Sequence, residues 1–94
     1  MFLAWILATS PEPAARDGAE ALRLARELNA ASGDRRPTHL DVLAAALAES
    51  GDFDSAEATA RRAVEAARAA GNSGAVRELE ARRQLYAQGI PFRQ

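Results

Sequence analysis

A pattern written twice constrains this chain more than any other feature it has. Leu3-Ala4-x-x-Leu7-Ala8 returns 40 positions on as Leu43-Ala44-x-x-Leu47-Ala48. Asp17-x-x-x-Ala21-x-x-x-Ala25-Arg26 returns 35 positions on as Asp52-x-x-x-Ala56-x-x-x-Ala60-Arg61, and Leu79 opens a third copy 36 positions beyond Leu43. A unit of this length, recurring with two striped segments inside it, is the pattern of stacked helix hairpins, because one hairpin cannot bury its apolar face alone. The difference between the first two offsets is a longer loop, Thr9 to Arg16, inside the first hairpin.

The punctuation between copies predicts five helices. The first covers Phe2 to Ala8 and stops at Thr9-Ser10-Pro11-Glu12-Pro13, since two close prolines cannot continue a helix. The second starts at Ala14 or Asp17 and runs to Ala31, with Leu22, Ala25, Leu28 and Asn29 on one stripe, until Ser32-Gly33-Asp34. The third begins near Pro37, a favoured first-turn residue, and spaces Leu40, Leu43, Ala44, Leu47 and Ala48 at i, i+3, i+4. Gly51 closes it, Asp52 caps the fourth, and Phe53, Ala56, Ala60, Ala63, Val64 and Ala67 form the fourth stripe. After Gly71-Asn72, Ser73 is the expected cap of a fifth helix that displays Val76, Leu79, Arg83 and Tyr86 and runs to about Gln88. Beyond Gly89, Ile90-Pro91-Phe92 is placed to fold back as an apolar plug. No segment alternates with period two, so no sheet is expected.

Ninety-four residues make one domain. Alanine, roughly a quarter of the chain, favours helix but buries little area, so the core is expected to be thin. The net charge of −1 gives no field to attract nucleic acid or an anionic membrane. With no cysteine, disulfides, thiolate metal sites and cysteine nucleophiles are excluded. The opening apolar run is too short to span a bilayer and lacks the basic lead of a signal peptide. The protein is therefore expected to be soluble and, by default, cytoplasmic.

Residues 40–70 carry a specific resemblance. Leu43-Ala44-x-x-Leu47-x-x-x-Gly51-Asp52-Phe53-x-x-Ala56, followed by Ala60, Ala63 and Val64, resembles a tetratricopeptide (TPR) unit. The family's usual aromatic on the first helix is Leu47 here, and Arg68 stands near its usual closing proline. Sel1-like and other αα-hairpin repeats share the general pattern. The resemblance implies antiparallel hairpins in a right-handed superhelix. Residues 1–32 would form a degenerate first hairpin, 37–71 a second, and 73–94 a capping helix and tail, as at the C-terminal end of a TPR array. It also implies a non-enzymatic scaffold for a protein or peptide partner, needing no cofactor.

Some TPR domains clamp a C-terminal carboxylate with Lys, Arg and Asn on inner helices. Here the matching face of the third helix carries Thr38, Asp41, Ala45, Ala48 and Glu49, two carboxylates and no cation. A basic or apolar peptide fits such a face better. Helix one poses a separate question. Phe2, Leu3, Trp5, Ile6 and Leu7 cover every side of it, so it should be buried on more than one side. Its neighbour in the hairpin covers only one. Phe2, Trp5 and Ile6 are thus candidate contacts with a partner, either a preceding repeat or a second copy of the chain, or a truncated array's lost neighbour.

The remaining polar residues have plainer readings. His39 has only Asp41 nearby, off another face, and reads as a solvated helix-start residue. Asp52 and Asp54 read as capping and helix-dipole residues, not a calcium loop. Arg61, Arg62, Arg68, Arg77, Arg82 and Arg83 interleave with Glu57, Glu65, Glu78 and Glu80 at intrahelical ion-pair spacings. No phosphate loop, nucleophile elbow or zinc spacing is present.

Overall fold

A computed structural model of the chain describes residues 2–10, 17–31, 33 and 36–93, with Phe2 described for its backbone only. The fold is all-α, with helices α1 (Phe2–Thr9), α2 (Gly18–Ala31), α3 (Pro37–Glu49), α4 (Phe53–Ala69) and α5 (Ser73–Ala87) and no strand among the described residues. No helix among them is long and apolar enough to cross a membrane. The prolines of the first loop, Ser32 and Asp34 lie outside the described residues.

The helix ends follow from short side chains and glycines. Asp17 accepts from Glu20 N at 3.1 Å and Asp52 from Ser55 N at 3.2 Å, so aligned residues of the two copies cap α2 and α4 alike. The cap of α5 is Asn72, which accepts from Ala75 N at 3.1 Å; Ser73, expected to cap it, already lies in the first turn. After α3, Gly51 takes φ of 88°, and this left-handed residue lets Asp52 N reach back to Leu47 O at 2.9 Å.

Each helix packs on its predecessor, and α3 also packs on α1. The core is built around α3, where every residue from Val42 to Ala48 is buried. Ala4, Ala8, Ala21, Ala25, Ala44, Ala48, Ala56 and Ala60 are all buried in one cluster. A second cluster, Leu40, Ala63, Val64, Ala67 and Leu79, ties the start of α3 to α4 and α5. The helix buried on all sides is thus α3. Helix α1, expected to need cover on several sides, buries Ala4 and Ala8, half-buries Trp5, Ile6 and Leu7, and leaves Leu3 57 % exposed.

Candidate functional site

Side chains from α1, α3 and α5 converge with the residues after α5. Asp41, two turns from the end of α3, accepts from Arg82 Nε at 2.9 Å and Nη2 at 2.8 Å. Both side chains are only 15 % exposed, and this bidentate geometry is the strongest an arginine–carboxylate pair takes. Burial pushes the Asp41 carboxyl above its ordinary range, against the pull of the Arg82 guanidinium. The other side of the same guanidinium is aromatic. Arg82 Cζ lies 5.6 Å from the Trp5 ring centre and 5.1 Å from that of Phe92, within cation–π range of both. The two rings are 5.6 Å apart, tilted at 40°.

The tail reaches this place because Gly89, with φ of 74°, turns the chain out of α5. Ile90 N donates back to Leu85 O at 2.9 Å, and Ile90 itself points outward, 44 % exposed. Of the expected plug, then, Phe92 enters the core and Ile90 does not. Arg93 Nη1 completes the contact at 2.7 Å from Glu49 Oε2, at the end of α3. Glu49 is crowded from the other side, where a methyl on Gly18 would lie 3.2 Å from its Cγ. Tyr86, beneath the cluster on α5, is 1 % exposed, and its buried hydroxyl finds no hydrogen-bond partner among the described residues. Desolvation raises its pKa, and the nearby Asp41 charge adds to the rise.

Of the residues expected on this face, Trp5, Asp41 and Glu49 come together. Ala45 is buried beneath them, so no partner can touch it. Thr38 is exposed a turn before Asp41, outside the cluster. Ile6 is half-buried on α1, and the side chain of Phe2 lies outside the described residues. The α3 face alone has two carboxylates and no cation, but the assembled face is neutralised by Arg82 and Arg93. Arg82 was legible only as one of several surface arginines, because its partner is 41 residues away. His39, expected to be solvated, is half-buried, and its buried Nδ1 has no hydrogen-bond partner among the described residues. Arg61 with Glu57 and Arg83 with Glu80 are expected short-range ion pairs, and Arg23 pairs with Glu20 and Glu27 on α2 at the same spacings. Among the described residues, no group of three His, Asp or Glu is placed to hold a metal ion.

A second surface lies between α1 and α2. Leu3, Ala4, Leu24, Glu27, Leu28 and Ala31 line an open, mainly apolar groove of about 390 Å³ there. The face of α5 at the other end shows Arg77, Glu78, Ala81, Gln84 and Gln88 to solvent. Comparison with protein-family models, with curated proteins and with solved structures finds no match to this chain.

Proposed function

We propose that the chain is a non-enzymatic protein–protein interaction scaffold built from TPR-type hairpins, and that it joins its partner through the end face of α1 and α2. One observation carries the reading. In the repeat alignment Leu3 corresponds to Leu43, Leu24 to Thr59 and Leu28 to Ala63. Leu43 is 9 % exposed, while Leu3 is 57 % exposed. Thr59 and Ala63 are buried; Leu24 and Leu28 are only half-buried and line the open groove. Positions filled inside the molecule are open, and more bulkily apolar, at its end. The partner that fits is another helix hairpin, as a further repeat or a second copy. Because the far end is polar, two copies match only face to face, which closes a two-fold dimer.

The test is sedimentation equilibrium over a wide concentration range, with circular dichroism on the same samples. The expected result is a dimer that dissociates on dilution, and a monomer of unchanged helicity for Leu3→Glu and Leu28→Glu. A helical wild-type monomer at every concentration would exclude the second copy as partner. Dimers that survive both substitutions would place the contact elsewhere.

A further inference from the structure

The face shared by α1, α3 and α5 is already occupied, and its occupant describes a ligand. We propose that the pocket bounded by Trp5, Arg82 and Glu49 is a recognition site for a peptide in which an aromatic residue is followed by arginine. In the absence of that peptide it is held shut by the chain's own Phe92-Arg93.

The pocket has two parts of different chemistry. Trp5 and the guanidinium of Arg82 form an aromatic slot, filled by the Phe92 ring at 5.6 Å from one and 5.1 Å from the other. Asp41 takes both donors on one edge of Arg82, which fixes the plane of the guanidinium and leaves its flat side to the ring. Next to the slot, Glu49 offers a carboxylate to a cation, a role Arg93 fills at 2.7 Å. Aromatic beside cation is the order in which this pocket reads a chain.

The occupant is built to leave. Past Gly89 the segment has no helix of its own, Ile90 points to solvent, and Pro91, Phe92 and Arg93 are each half-buried. The Phe92 ring, the Arg93–Glu49 ion pair and the Ile90 N–Leu85 O bond hold it among the described residues, against a hinge at a glycine in the left-handed region. Segments with so few buried apolar contacts belong to the low-stability end of a fold. A tether this short keeps Phe92-Arg93 at an effective concentration on the order of millimolar, so an outside peptide competes with it.

The probe is a blocked peptide copying residues 89–94, Gly-Ile-Pro-Phe-Arg-Gln, titrated against the full chain. Fluorescence of Trp5, the chain's only tryptophan, is the readout, and helicity is followed in parallel. Phe92→Ala should shift Trp5 emission to the red, and the peptide should return it, binding about tenfold more tightly than to wild type because the tail no longer competes. A peptide with alanine in place of its phenylalanine should bind about tenfold more weakly. A helical Phe92→Ala protein that does not respond, or that binds both peptides alike, overturns the proposal. Should Phe92→Ala unfold, Arg93→Gln keeps the ring and removes only the ion pair; unchanged peptide affinity relative to wild type then overturns it. Glu49→Arg tests the second part, since it should exchange the preference from Phe-Arg to Phe-Glu peptides, an exchange that a merely structural clasp would not show. These outcomes are independent of the end face of α1 and α2, which takes no part in the pocket.

Discussion

Among the ion pairs, exposure decides which ones matter. Arg23 with Glu20 and Glu27 lies on the solvated side of α2, where such pairs contribute only a few tenths of a kcal/mol. Asp41 and Arg82 are removed from water and depend on each other. Asp41→Ala is therefore expected to cost about 3 kcal/mol in urea denaturation, because it leaves a guanidinium without its partner. Asp41→Leu combined with Arg82→Met should recover most of that loss, since a shape-filling apolar pair has no charge to desolvate. Tyr86 supplies the pH dependence. Its folded pKa is raised above the unfolded value of about 10, so the stabilisation it contributes is complete below that pH and is lost as pH rises past it. As the only tyrosine, it should yield its tyrosinate absorbance together with the loss of helicity, in one transition. A tyrosinate signal near pH 10 with helicity intact would show that water reaches the hydroxyl.

At the scale of elements, the caps and the tail set how well each helix is held. Asp52→Ala and Asn72→Ala should each cost about 1 kcal/mol by removing an acceptor for a first-turn N–H, whereas Ser73→Ala should stay within about 0.5 kcal/mol. Thermal melts of the three variants check this ordering. Two neighbouring residues of similar cap preference were indistinguishable in sequence; the backbone at Asn72, φ −95° and ψ 83°, made the choice. Helix α1 shows the same limit more broadly. Its apolar surface was plain from Leu3 to Leu7, but which of those side chains are covered depends on α2, α3 and a ring arriving from position 92.

Over the whole molecule, the two ends differ in kind. One presents Leu3, Leu24 and Leu28 around an open groove; the other presents charged and amide side chains. If the first end is a stacking surface, stability is linked to concentration, because an assembly that binds only folded chains shifts unfolding by mass action. The midpoint of thermal unfolding should therefore rise with protein concentration for wild type and stay constant for Leu28→Glu. A constant midpoint in both would mean that the groove has no self-partner.

The sequence by itself determined the all-α class and the five helices nearly to the residue. These are local matters: a stripe with helical period and a glycine or proline that breaks it each depend on residues within a turn or two. The sequence also showed two carboxylates on α3 as Asp41 and Glu49, and it showed Arg82 and Arg93. Only the tertiary structure decided that they pair, that Ala45 lies beneath them and out of reach, and that Leu3 stays open where Leu43 is closed. The physical reason is distance along the chain. An ion pair spanning 41 residues leaves no periodicity to read, and the burial of a leucine depends on whether a neighbouring hairpin is there to cover it.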